Sequence, residues 1–275
     1  MLKFISGREV LHRLFITGLL TGLLTACGME SARQAALPQE ITLLTHNLHA
    51  EPDIVQPFAD IIRESGADIV ALQEVSRAAA ALFEQELGEV YPYQVTALAS
   101  GRYNGQAILS RYPILKQESW EHERRLLRVV VDVNSVPVTV YNVHPTSPGT
   151  TGMSTTQRSS DITFMLEQAA QETNLTILMG DFNSESWSGD YKTVATTFED
   201  AFATVGEGSG VTYPDYSQPQ SRVNARLPAF TPLLIRLDYI FYSVGFTPLS
   251  ARVWPSSGGS DHRPVVATLR LDGTS

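Results

Sequence analysis

The chain of 275 residues holds one cysteine, Cys27, so an intramolecular disulfide is excluded and no set of thiolates is available for a zinc site. It also lacks an excess of positive charge. Twenty Lys and Arg face 29 Asp and Glu, a formal net charge of −9. Proteins that bind by blanketing the phosphates of a polyanion are usually basic, so that class is disfavoured. A small anion held through a metal ion is not. Long apolar runs are missing too: the N-terminal stretch "LFITGLLTGLLTAC" has about a dozen apolar residues, short of the ~20 that a membrane-spanning helix needs. No internal repeat, low-complexity block or linker is visible inside residues 40–273, so one domain is the economical reading. What is present, 43% hydrophobic and 18% charged residues, is enough for a sizeable core.

The N-terminus has the layout of a secretory signal: Lys3, Arg8 and Arg13 against Glu9, then the apolar run, then Leu24-Thr25-Ala26-Cys27. The last four residues resemble a bacterial lipobox, in which cleavage leaves Cys27 as a diacylated amino terminus. Residues 1–26 are then a signal peptide, and the rest of the chain carries a charge of about −11. Residues 27–39 read as a tether to the lipid. The expected location is the bacterial cell envelope, with the membrane as a partner through this lipid.

From Glu40 onward, strand-like and helix-like runs alternate. "EITLLTHNL", "ADIVALQEV", "YQVTALAS", "GQAILSRYPI", "RLLRVVVDVN", "VPVTVYNVHP" and "LTILMGDFN" read as strands, and "RLDYIFYS", "TPLSARVW" and "RPVVATLRLD" close the chain as strands. "VQPFADIIRESG", "SRAAAALFEQELGEV", "TTQRSSDITFMLEQAAQET" and "DYKTVATTFEDAF" read as helices. Asn134-Ser135 marks a hairpin, and residues 206–235 a long surface loop. Hairpins mixed with helices suggest sheets packed face to face with helices outside, an α/β class.

Several buried-looking strands end in groups that carry chemistry: Asn47, Glu74, His144, Asp181 with Asn183, and, near the C-terminus, Asp238 and the pair Asp261-His262. A single such residue is usually a turn residue. Their recurrence at strand ends looks like a site, because a sheet holds side chains rigidly while the loops beyond leave room for substrate. Glu74, helped by Asn47, offers hard oxygen ligands suited to Mg²⁺ or Mn²⁺. Asp238 and His262 can form a carboxylate–imidazole pair. Asp181 can take a proton from attacking water, and Asn183, which cannot ionise, can donate to the same phosphate. The two-residue spacing of Asp181 and Asn183 puts them on one side if the strand persists. By the same alternation His46 and His49 read as turn or surface residues. Trp187 reads as a cap on the core, and Asp190 and Asp200 as helix-end carboxylates.

"DIVALQEV", "GQAILSRYPI", "YNVHP", "MGDFN", "RLDYIF" and "SDHRPV", in this order over residues 41–271, resemble the endonuclease/exonuclease/phosphatase superfamily, with its deoxyribonuclease-I-like and neutral sphingomyelinase-like branches. The resemblance implies a four-layer α/β sandwich of two packed mixed β-sheets flanked by α-helices, and Mg²⁺-dependent attack of water on a phosphoester. It makes Glu74 the principal metal ligand, with Asn47 close by and Asp261 near the metal. Asp181 would activate or position the water, Asn183 stabilise the pentacovalent phosphorus, and Asp238 orient His262. His144 matches the second acid/base histidine of the nuclease and sphingomyelinase branches. Arg128 is a candidate phosphate contact with Arg124 and Arg125 as competitors, and Gln106 is another, standing where many members have asparagine. Ser76 stands where deoxyribonuclease-I-like enzymes often have arginine, which weakens a DNA-groove reading. The substrate implied is a phosphoester, either nucleic acid, a phospholipid headgroup or a small phosphate ester, and a monomer is expected. The competing reading is a surface lipoprotein that keeps the fold as a binding module without catalysis.

Overall fold

The computed structural model describes residues 39–49, 55–98, 105–148, 155–215, 217 and 234–272. The expected signal peptide, most of the expected tether and Cys27 lie outside them. Seven strands make one sheet: β1 (Gln39–Asn47), β2 (Ile69–Gln73), β3 (Tyr93–Ala97), β4 (Gln106–Ser110), β10 (Gly206–Glu207), β12 (Phe246–Val253) and β13 (Val265–Leu271), in the order β10-β12-β13-β1-β2-β4-β3. Six make the other: β5 (Ile114–Glu121), β6 (Arg125–Val133), β7 (Val136–Val143), β8 (Leu175–Asp181), β9 (Glu199–Asp200) and β11 (Asp238–Tyr242), in the order β5-β6-β7-β8-β11-β9. Both sheets are mixed, with β1 parallel to β2 and β7 parallel to β8 among antiparallel neighbours.

Strand periodicity sorts the side chains into three apolar layers. Ile41, Leu43, Ile69 and Ile108 meet Val129, Val140, Met179 and Ile240 between the sheets. On the outer face of the seven-stranded sheet, Leu44, Val70 and Leu72 pack under α1 (Gln56–Ser65) and α2 (Arg77–Leu87), which contribute Phe58, Ile62, Phe83 and Leu87. On the outer face of the other, Tyr141, Leu178 and Phe241 pack under α3 (Thr155–Ala169) and α4 (Gly189–Val194). This is the four-layer α/β sandwich that the resemblance implied. Among the described residues, no helix is long and apolar enough to cross a membrane.

Local signals explain the boundaries. Gly66 caps α1 at φ 67°, and Ser76 caps α2 by accepting the Ala79 N–H. Asn134 and Ser135 both take positive φ, 49° and 74°, the backbone of a tight two-residue hairpin. Three elements depart from the sequence reading. β5 has no apolar alternation of its own, because it is a largely exposed edge strand. The expected helix over 190–202 is broken: α4 ends at Val194, and Asp200 accepts the N–H groups of Phe202 and Ala203 to start α5 (Ala201–Val205). The long loop begins with the short strand β10 and is closed by a bridge between Tyr213 and Ile235.

Candidate active site

Register brings the strand-end groups together. Val143 lies opposite Gly180 and Asp181 opposite Asp238, so the ends of β7 and β8 and the start of β11 coincide. A glycine is required at 180, where φ is 155° and a Cβ would come within 1.9 Å of the Val143 carbonyl oxygen. On the facing sheet Asn47 stands opposite Gln73, which puts Glu74 one residue beyond the strand. Glu74 adopts φ 55°, costly for a non-glycine residue. Alternation would aim it at the helices; the left-handed backbone lets it bond to Asn47, on the inter-sheet side.

The polar groups of the two sheets interlock. The Asn47 carboxamide donates to Asp181 Oδ2 at 2.9 Å and to Glu74 Oε1 at 3.3 Å, while its own oxygen accepts the His49 N–H at 2.9 Å. His262 Nδ1 pairs with Asp238 Oδ2 at 2.9 Å, and its Nε2 lies 3.7 Å from Asp181 Oδ2. His144 Nε2 sits 3.7 Å from Glu74 Oε1 and 3.8 Å from Asp181 Oδ2. Ser260 Oγ donates to the Asn47 carbonyl at 2.7 Å and accepts the His262 N–H at 3.0 Å, fixing the "SDH" segment to β1. The Tyr213 ring lies 4.7 Å from the His262 ring. Asn47, Glu74, His144, Asp181, Asp238 and His262 therefore form one linked cluster.

Burial sets the charge states. Desolvation pushes the Glu74 carboxyl up to about 7, against the nearby His49 and His262, and it raises Asp181 as well. His144 is driven down to about 4 by burial and is neutral at pH 7. Burial also works against His262, yet the charges of Asp238 and Asp181 hold its pKa well above the ordinary range. Burial alone would raise Asp261, but the His49 hydrogen bond carries it below the usual carboxylate range. Glu74 Oε2 is buried with no hydrogen-bond partner. An uncompensated buried carboxylate oxygen beside Asn47 and Asp181 suits a hard divalent cation, which would hold Glu74 ionised. Asp181, Asp238 and His262 also lie close enough for a shared ion, one ligand atom from each falling within 4.8 Å of the others. The Asp238–His262 hydrogen bond uses that pair internally, so Glu74 is the better anchor.

Asn183 reaches this cluster by a different route from the one expected. The strand stops at Asp181, Asn183 turns to φ 49°, and its N–H bonds to Asp181 Oδ1 at 2.9 Å. Its side chain donates to the Pro145 carbonyl at 3.0 Å. An Asx-type turn, not strand alternation, aims it. Asp261 pairs with His49 at 3.1 Å, at the edge of the cluster.

Arg128 is not a phosphate contact. It faces the outer side of β6 with Leu126 and binds Glu172 through two hydrogen bonds, of 2.6 and 2.7 Å, and Glu118 through a third. Strand parity decides this, since Leu127 and Val129 take the inter-sheet side. Arg125 donates to the Leu98 carbonyl and pairs with Glu121, and the Arg124 backbone is held by Asp161. Gln106 is buried beneath the cluster and donates to the Asn142 carbonyl at 3.3 Å. Of the two flanking histidines, His49 sits in a turn and is partly exposed, as expected, but His46 is not a surface residue. His46 is fully buried against Phe58 and meets the His262 carbonyl at 3.1 Å, and burial holds its pKa down at about 3. Trp187, expected to cap the core, is 64% exposed, whereas Asp200 caps α5 and Asp190 sits in the first turn of α4. Ser260 escapes the sequence reading, and His46 and His49 read there as turn or surface residues, because a lone serine or histidine near a turn carries no periodic signal.

Known proteins share this fold. An endonuclease/exonuclease/phosphatase protein from Leptotrichia buccalis C-1013-b aligns with a TM-score of 0.65 at 20% identity, over 83% of this chain and 99% of that one. Truncated Caenorhabditis elegans TDP2 aligns with a TM-score of 0.69 at 18% identity, over 84% and 98%. A family protein from Bacteroides vulgatus gives 0.66 at 18%, over 85% and 99%. None of the curated proteins matches the sequence. The sequence model of the Endonuclease/Exonuclease/phosphatase family matches residues 44–262, from within β1 to His262. The chain belongs to the endonuclease/exonuclease/phosphatase family, which supports phosphoester hydrolysis as its general chemistry.

Proposed function

We propose that the protein is a divalent-metal-dependent phosphodiesterase, using Mg²⁺ or Mn²⁺, anchored to the cell envelope through a lipid on Cys27. The observation that carries the catalytic part is the buried, unpartnered Glu74 oxygen beside Asn47 and Asp181, facing the Asp238–His262 pair. Glu74 and Asn47 would hold the cation, with Asp261 near it. When bound, such an ion neutralises charge on a phosphoryl oxygen.

The chain's own residues divide the remaining work. Asp181 is fixed from three directions, by Asn47, by the Asn183 N–H and by the two histidines, and it is suited to orient attacking water and take its proton. His262 keeps its proton through Asp238 and donates to a nonbridging phosphate oxygen. Neutral His144 is placed beside Glu74 and Asp181, where it can pass a proton on the opposite side from the Asp238 pair. Asn183 supplies a donor that cannot ionise. A diester suits this arrangement because its single negative charge needs one cation and one imidazolium, and no cluster of arginines.

The test is hydrolysis of bis-p-nitrophenyl phosphate with Mg²⁺, with EDTA, and by Glu74→Ala. Turnover that survives EDTA or the substitution would sink the mechanism. Metal binding without turnover, over a panel of plasmid DNA, RNA, sphingomyelin and inositol phosphates, would favour the binding-module reading. Lipidation is tested separately: Cys27→Ser should move the protein from the membrane fraction to the soluble exported fraction.

A further inference from the structure

The site is split between two sheets. Asn47 and Glu74 extend from the seven-stranded sheet, and His144, Asp181 and Asp238 from the six-stranded one. Most of the interface between them is Val, Ile, Leu and Met, which supply cohesion without direction. A non-directional interface tolerates small slips, yet catalytic groups must be held to within about 0.5 Å. Something directional has to set the register.

Directly beneath the site, four inter-sheet positions are polar: Thr45, Gln73, Gln106 and Asn142, each 0–1% exposed. Asn142 belongs to β7 of one sheet, and its carboxamide is saturated by the other. Its nitrogen donates to the carbonyls of Leu72 at 2.8 Å and Ala107 at 2.9 Å, two residues paired across β2 and β4. Its oxygen accepts from Gln73 Nε2 at 2.8 Å, and Gln73 in turn donates to Thr45 Oγ1 at 3.1 Å. Asn142 thus inserts into the ladder of the facing sheet. It lies two residues before His144 on the same strand face, and Gln73 immediately precedes Glu74.

We propose that the Gln73–Asn142 pair is a positioning strut, which fixes the sheets in register and thereby sets the distance between Glu74 and His144. Buried carboxamides are expensive unless fully bonded, and a fully bonded set specifies one arrangement. Neither residue reaches the site itself. The strut acts through the first residue beyond each strand.

The inference rests on the phosphodiesterase reading, and its test separates the two. Asn142→Leu and the volume-conserving Gln73→Met are assayed with bis-p-nitrophenyl phosphate well below their melting temperatures. Each should lower kcat by roughly 10- to 100-fold, the scale of a small misplacement of reacting groups, with KM changed less than about threefold. The double variant should be little worse than either single one, because both break one strut. Manganese affinity measured by calorimetry should weaken about 10-fold, as for loss of support behind a metal ligand. That readout needs no turnover, so it still decides if the wild-type protein proves inactive on every ester. Folded variants with wild-type kcat and wild-type manganese affinity would overturn the strut. So would losses that multiply in the double variant.

Discussion

Glu74→Gln should make the metal-free protein more stable at alkaline pH while abolishing its response to metal. In the folded chain burial lifts the Glu74 carboxyl from 4.5 to about 7. The folded state therefore holds this proton more tightly than the unfolded chain, and stability falls as pH rises between those two values. Above pH 7 the full cost applies. At ~1.36 kcal/mol per pKa unit, the rise corresponds to roughly 3 kcal/mol, an upper bound because Asn47, His49 and His262 relax around the charge. Glutamine retains the shape and an acceptor for Asn47 but carries no charge to desolvate. For a domain of this size each kcal/mol moves the melting temperature by about 2–4 °C. In EDTA at pH 8 the variant should melt several degrees above wild type, and at pH 4 the two should converge. Saturating Mg²⁺ or Mn²⁺ should raise the wild-type melting temperature and leave the variant nearly unmoved. Differential scanning calorimetry at both pH values, with metal and with EDTA, decides it. If the variant melts below wild type at pH 8 in EDTA, or gains as much from metal, Glu74 is neither the strained carboxylate nor the metal anchor.

Asp238→Asn should leave the fold intact and drop kcat by about 10²–10⁴, because the imidazole loses the charge that keeps it protonated. The histidine pKa, followed by NMR, should fall with it. Arg128→Ala should cost about 1.5–3 kcal/mol in denaturant unfolding, since Glu172 loses its cation but keeps the Tyr141 and Thr139 hydroxyls, with KM unchanged in the folded fraction. A phosphate contact would instead raise KM. Trp187→Ala should change unfolding free energy by less than ~0.5 kcal/mol, since the indole packs little surface away from water. A larger loss would restore it to the core.

Alternation and helical spacing in the sequence were sufficient for sheets packed face to face with helices outside, because half-buried strands and amphipathic helices record in their side chains which face meets the core; the four-layer arrangement was implied by the family resemblance. β5 escaped for the same reason: an exposed edge strand needs no apolar face. The clustered groups Glu74, Asp181, Asp238 and His262 were legible as polar residues at the ends of buried strands, and the ordered motifs suggested their chemistry. Other decisions depended on three-dimensional parity and register. Arg128 is one residue out of phase with the inter-sheet face, so it braces the segment just after α3 through Glu172. Asn183 is aimed by an Asx turn and Glu74 by a left-handed backbone, and both are invisible to a period-two pattern. His46 and Ser260 matter only because β1 and the segment before β13, more than 200 residues apart in the chain, lie side by side. The sequence determined which groups were available and at which strand ends. The tertiary structure alone decided which of them meet, since two sheets with an apolar interface can be aligned to a fraction of an ångström only by contacts that join them.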